Sequence, residues 1–405
     1  MSKYTSRMRG RLVALTAALA VAGGVLAAGP ASAATPAGET ASRTATQQAL
    51  DGLVAAGMPG VGAEIRTSAS SWFGKSGYAD TYTKQRRTTA DHFRAGSITK
   101  TFVATTLLQL ESEGRLRLDD SVERWLPGVV QGNGYDGNKI TVRQLLNHTS
   151  GIHDMVSTEE WDTAMNGSGF YRHRYDVMTP QDIVAIGLGQ KPDFEPGKGW
   201  SYSNTGFVLA GMVIEKVTGN SYASEIDRRI VKPLGLTETR FPGTDPALPG
   251  THPVGYSKLF FSTPVKEIYD ATYYRPSWSG ATGEIVSTSG DLNRFYAALM
   301  QGRVLPAAQL NEMLTTVPTG QHFGYGLGIM SRALSCGTTV WGHDGVVWGS
   351  LSGAATTRDG NTALAFNING DWLQQSAPFE NVFEGAFCGT TAPTAARASL
   401  GPVNR

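Results

Sequence analysis

The chain has 405 residues, of which 40% are apolar, 17% charged and 9% aromatic, and its formal net charge is +1. That composition supplies ample material for a core and excludes a chain that is disordered throughout. No basic run interleaved with aromatics is present, which argues against a nucleic-acid partner.

Taken in chain order, Lys3, Arg7, Arg9 and Arg11 precede an apolar, Ala- and Gly-rich stretch over 12–28, and Ala31-Ser32-Ala33 offers a small-x-small cleavage site. Residues 1–33 read as a signal peptide cut after Ala33, too short and too weakly apolar for a membrane anchor. Loss of its four basic residues takes the formal charge to −3, and the expected product is extracellular and free of the membrane. A flexible N-terminus is expected over 34–45, a helix over 46–56, and a strand hairpin over 61–66 and 71–78. The clearest element starts at Ser97, where Phe102, Val103, Thr106, Leu107 and Leu110 make one apolar stripe that Gly114 closes.

Between 118 and 274 the pattern is mainly helical, with segments at 141–146, 180–188, 206–217 and 221–230. Period-two strands return at 284–287, 326–331, 338–342, 349–356 and 362–369, followed by a helix over 379–387 and a disordered tail over 389–405. The expected fold is α/β (α+β): an antiparallel sheet built from both chain ends, 46–117 and 276–388, flanked by helices, plus a large mostly helical insertion lobe over 118–275. Cys336 and Cys388, an even pair in an oxidising compartment, read as one disulfide rather than two reactive thiols.

Three short motifs carry the chemistry. In Ser97-Ile98-Thr99-Lys100 the Ser opens a helix and Lys100 returns to the same face one turn later, so a desolvated amine lies beside a hydroxyl that needs a base. The plain alternative is an N-capping Ser with a surface Lys. Tyr202-Ser203-Asn204 offers a phenol as acid or base and an amide to hold a carbonyl and the Lys, or else a buried Tyr in a capping turn. His343-Asp344-Gly345 sits near a strand end, where Gly345 would admit substrate backbone and the Val346 N–H would pair with that of Ser97 as an oxyanion hole. Alone, a His-x-Gly on a strand is structural more often than catalytic.

The joint order and spacing of the three resemble the serine β-lactamase and penicillin-binding-protein superfamily. They are closest to the branch of the exocellular D-alanyl-D-alanine carboxypeptidase/transpeptidase, class C β-lactamases, D-aminopeptidases, D-stereospecific amidohydrolases and related esterases. Phe93-Arg94-Ala95-Gly96-Ser97, Leu145-Leu146-Asn147-His148-Thr149-Ser150-Gly151, Trp200-Ser201-Tyr202-Ser203-Asn204 and Tyr325-Gly326-Leu327-Gly328 extend the likeness over 47–390.

The resemblance implies that Ser97 is acylated, Lys100 and Tyr202 shuttle its proton, Asn204 orients substrate, and His343 holds the place of a Lys or His. It also implies a disulfide at Cys336 and Cys388, no metal and no organic cofactor. The implied partners are small peptides or D-amino-acid amides and esters, or peptidoglycan stem peptides, met by a monomer.

The chain departs from the carboxypeptidase where that enzyme grips a terminal carboxylate. Met330, Asp344 and Val346 stand at the matching places, with Arg332 two residues away, and Asp344 would repel an anion. An acidic run, Ser157-Thr158-Glu159-Glu160-Trp161-Asp162, faces the same region, so Glu160 and Asp344 are expected to bind a substrate ammonium; a solvated acidic loop is the alternative. Trp278 and Trp348, near Tyr273 and Tyr274, would line an aromatic acyl pocket or serve as core or rim. His148 and His153 are read as structural. The expected function is a D-stereospecific amidohydrolase or peptidase; a D-alanyl-D-alanine carboxypeptidase/transpeptidase and an esterase or β-lactamase are the alternatives, with a non-enzymatic penicillin sensor last.

Overall fold

The computed structural model describes residues 37–260, 265–373 and 375–390, so the segment read as a signal peptide and nearly all of the segment read as a tail lie outside the described residues. Its centre is an eight-stranded antiparallel sheet in the order Ser71–Gly77, Gly60–Thr67, Thr362–Ile368, Ser350–Thr357, Thr339–Val347, Met330–Ala333, Phe323–Tyr325, Val317–Pro318. The first strand pairs with the last, Val61 opposite Ile368 through Thr67 opposite Thr362. The sheet is thus assembled from both ends of the chain, and the helical segments between them follow the nucleophile helix.

Strand alternation divides the sheet into two faces. On the back, Val61, Ile65, Leu351, Ala355, Leu364 and Phe366 pack against Leu50 and Leu53 of the first helix and Phe379, Val382 and Phe383 of the last. On the front, Ala354, Ala365 and Val347 join a larger core with Phe102, Leu107, Phe207 and Phe295. Cys336 and Cys388 are bonded to each other, which ties the turn before the Thr339–Val347 strand to the end of the last helix, Ala377–Cys388.

Two boundaries differ from expectation. The first helix spans Ala37–Ala55, so it begins inside the segment read as a flexible N-terminus. Tertiary contact holds that turn: Arg43 bonds Glu39 and the Ser70 hydroxyl, each at 3.0 Å, and Ser70 also donates to Glu39. Of the strand expected over 326–331 only Met330 and Ser331 are extended; 326–329 form the bend between Phe323–Tyr325 and Met330–Ala333, closed by Gly326 N–H donating to Ile329 O with Gly328 at φ +65°. An apolar alternation that runs through a tight turn cannot be told from a continuous strand by period alone.

Candidate active site

Ser97 lies in a tight turn, Gly96–Ile98, that leads into the helix Thr99–Ser112. The turn is fastened on both sides. Thr99 Oγ1 donates to Gly96 O at 2.8 Å and accepts from Ile285 N, while Ser352 Oγ donates to Ala95 O at 3.0 Å. Gly96 has φ +57°, and a Cβ there would meet Val346 N at 2.9 Å, so the Val346 N–H lies against the backbone that leads to Ser97. Gly345 corrects an expectation: a Cβ on it would lie 1.9 Å from Ala95 O. Its missing side chain makes room for the protein's own nucleophile turn rather than for substrate backbone.

Lys100 is fully buried, and its ammonium has three partners, one for each proton: Ser97 Oγ at 3.0 Å, Asn204 Oδ1 at 2.7 Å and Thr282 O at 2.9 Å. Burial pulls its pKa down to about 7 against the opposing pull of Asp154. A neutral amine keeps two N–H groups and one lone pair. Thr282 O must have a donor, and Ser97 is the one partner with a proton to give. Asp154 accepts from both the backbone N–H of Asn204 at 2.9 Å and its side-chain Nδ2 at 3.1 Å. Burial raises Asp154 to about 6. Sequence reading missed Asp154 and Thr282, which join the site from 50 and 182 residues away from their partners.

Tyr202 stands over this cluster, with Lys100 Nζ 4.8 Å from its ring centre. Burial pushes the phenol's pKa up and a hydrogen bond with Ser97 opposes the shift, so the group is a neutral hydroxyl at ordinary pH. Ser203, whose side chain caps the helix Asn204–Thr218, donates its own N–H to His148 Nδ1 at 3.1 Å. The His148 ring lies 4.3 Å from that of Tyr202, so this histidine is structural in the sense of bracing the phenol.

His343 points to the same front face and is held at both nitrogens. Nδ1 is 2.6 Å from the Asp344 carbonyl, which can only accept, so Nδ1 carries the proton and Nε2 accepts from Tyr325 OH at 2.8 Å. Burial and the Lys100 charge lower its pKa to about 3. Both nitrogens of the neutral His343 are thus engaged by the protein, Nε2 by Tyr325, which the sequence motif contained but to which no role was attached.

Asp344 is the clearest correction. The strand register sets His343 opposite Ala354 and Asp344 opposite Gly353, so the two neighbours face opposite sides of the sheet. Asp344 bonds Arg332 at 2.8 Å, and Arg332 also meets Glu380 of the last helix at 2.8 Å. The acid expected to greet an ammonium is consumed by a buried arginine on the back face. Trp161 and Met165 turn their helix inward, while Glu159 and Glu160 line a groove of about 660 Å³ with Arg172, His173 and Gln190, none of which belongs to the Lys100 cluster. Trp278 packs against the front core, its ring 5.3 Å from Trp161 and 4.8 Å from Trp348, both of them buried. It leads into the turn whose Thr282 carbonyl holds Lys100.

The Beta-lactamase family model matches residues 46–384. A D-stereospecific amidohydrolase from Streptomyces sp. is 51% identical, with TM-score 0.80 over 86% of this chain and 99% of its own. The D-amino acid amidase of Ochrobactrum anthropi SV3 is 30% identical, with TM-score 0.73 over 84% of this chain and 98% of its own. Penicillin-binding protein 4* of Bacillus subtilis (strain 168) is 33% identical over 272 residues, 62% of this chain but only 55% of that protein's length. A buried Lys against a Ser at the head of a helix, the family match over most of the chain and these relatives together place the chain in the beta-lactamase family, as a serine hydrolase.

Proposed function

We propose that this enzyme hydrolyses amides, esters or peptides of D-amino acids, or transfers their acyl group to an amine, through an acyl-enzyme on Ser97. Neutral Lys100 takes the Ser97 proton as Oγ bonds the acyl carbon. The developing oxyanion meets the N–H groups of Ser97 and Val346. Tyr202 gives its proton to the departing amine or alcohol and regains one from Lys100, so the bond to the leaving group breaks without a free anion. Water or an amine then attacks the ester, delivers its proton back along the same path, and frees Ser97.

The observation that carries this reading is Lys100, buried with a pKa of about 7 and bonded to Ser97 at 3.0 Å. The choice of D-amino-acid substrates is supported by the 51% identical D-stereospecific amidohydrolase. It is supported too by the Ochrobactrum amidase, whose structures are described as complexes with D-phenylalanine, L-phenylalanine and L-phenylalanine amide. Those molecules carry a free amine and an aromatic ring. Recognition of the amine by Asp344 has no support in its position against Arg332. A carboxypeptidase would need a cation for a terminal carboxylate, and Arg332 is taken by Asp344 and Glu380. Export by the leader read at 1–33 belongs to the same proposal.

Turnover of D- and L-phenylalanine amide by the full chain, beside Ser97→Ala, tests it. Hydrolysis of the D form at least tenfold faster, lost by about 10⁴-fold or more in Ser97→Ala, is expected. Equal rates for both enantiomers would remove the stereochemical part. Undiminished activity in the variant would remove the nucleophile.

A further inference from the structure

Three groups surround the Lys100 amine, and they are not alike. Thr282 O, at 2.9 Å, is a backbone carbonyl and can only accept. Ser97 Oγ, at 3.0 Å, is the one partner that has a proton to lose. Asn204, at 2.7 Å, is ambiguous in itself: a half-turn of its side-chain amide would exchange an accepting oxygen for a donating nitrogen. Were the nitrogen to face Lys100, the lone pair of the neutral amine would be drawn to Asn204 and away from Ser97.

We infer that Asp154 is the positioning residue that decides this: it locks the Asn204 amide with its oxygen toward Lys100, and so directs the Lys100 lone pair at Ser97. The inference rests on the Ser97 chemistry proposed above. Asp154 is buried, and one oxygen accepts from the Asn204 backbone N–H while the other accepts from Nδ2 at 3.1 Å. Turning the amide over would set two acceptor oxygens face to face with no proton between them, in a buried place where an unpaired acceptor costs most. The carboxylate thereby claims one N–H of neutral Lys100 through Asn204, Thr282 claims the other, and the lone pair is left for Ser97.

The same carboxylate also favours the ammonium form of Lys100. The other titratable groups around the cluster are Tyr202, from the turn before the Asn204–Thr218 helix, and behind it His148 and His343. All three are held neutral by burial, so none of them replaces that influence.

The experiment compares Asp154→Asn, Asn204→Asp and the exchange Asp154→Asn/Asn204→Asp by pH profiles of kcat and KM on D-phenylalanine amide, with thermal unfolding as a check on folding. In Asp154→Asn the new amide lets Asn204 turn over. A fall in kcat of about 10²-fold or more with KM within threefold is expected, and the acidic limb moves to lower pH because the Lys100 ammonium has lost its carboxylate. The exchange rebuilds a fixed acceptor beside Lys100, now charged. It regains at least tenfold of the lost kcat, and its acidic limb lies above that of the parent.

A folded Asp154→Asn with parental kcat and an unmoved limb overturns the inference. So does an exchange variant no better than the single one. Should Asp154→Asn fail to fold, the exchange is read against Asn204→Asp: a kcat at least tenfold higher in the exchange, where residues 154 and 204 again pair a donor with an acceptor, supports the inference, and an equal kcat overturns it. Ser97→Ala separates the two levels, since activity surviving there sinks the parent reading, while its loss beside an indifferent Asp154→Asn sinks only this one.

Discussion

Two buried charge clusters lie on opposite faces of the Thr339–Val347 strand and are built to different ends. On the back, Arg332 touches Asp344 and Glu380 directly, each at 2.8 Å. Contact with two carboxylates outweighs burial and raises the guanidinium's pKa, so its charge is fixed. On the front, Lys100 and Asp154 are held apart by the neutral amide of Asn204. With the ion pair stretched, burial wins over attraction, the amine falls to about 7 and the acid rises to about 6. Direct contact makes a clamp, whereas one intervening amide makes a base that titrates near neutral pH.

The sharpest way to break this comparison is to make the front cluster behave like the back. Lys100→Arg keeps the charge but supplies a group that does not deprotonate. Activity is expected to fall by about 10²–10⁴-fold. In the parent enzyme kcat/KM should rise with pH through about 7 as Lys100 sheds its proton, and in the variant that limb should vanish from the residual rate. A profile with the parental limb in both would assign the titration to another group.

A smaller effect is expected from loosening the back cluster. Asp344→Asn leaves Arg332 with Glu380 alone and should cost about 1–3 kcal/mol of stability, read by denaturant unfolding. KM for D-phenylalanine amide should stay within twofold. A several-fold rise in KM with stability unchanged would return Asp344 to the substrate.

The smallest effect belongs outside both clusters. Glu160→Gln, on the outer groove, should change kcat, KM and stability within error. A raised KM confined to substrates with a free amine would place that groove on the substrate path.

Much of this was legible in the residues. The helix after Ser97 and the sheet built from both chain ends announce themselves by period. The Ser97, Lys100, Tyr202 and Asn204 constellation needed the family resemblance to lift each motif above its plainer reading, and the disulfide rested on an even cysteine count and that same resemblance. Asp344 was misread for a reason the sequence itself contained, since alternate residues of a strand face opposite sides and a neighbour of His343 cannot share its face. Asp154 gave no comparable sign. It lies on a loop without period, and its meaning comes from Asn204, 50 residues later. Gly345 showed that a close approach was needed but not by whom; the approaching group is Ala95.

The pairing of Val61 with Ile368 has a consequence for the life of the molecule before it is finished. A growing chain possesses Ser97 and Lys100 long before it possesses Thr282, the Val346 N–H or the inner strand Thr362–Ile368 that joins Gly60–Thr67 to the rest of the sheet. Contacts so distant along the chain form late and slowly. The Ser97 and Lys100 pair is therefore incomplete until residues 282–368 have been made and have docked, so the full set of contacts around it marks a finished fold.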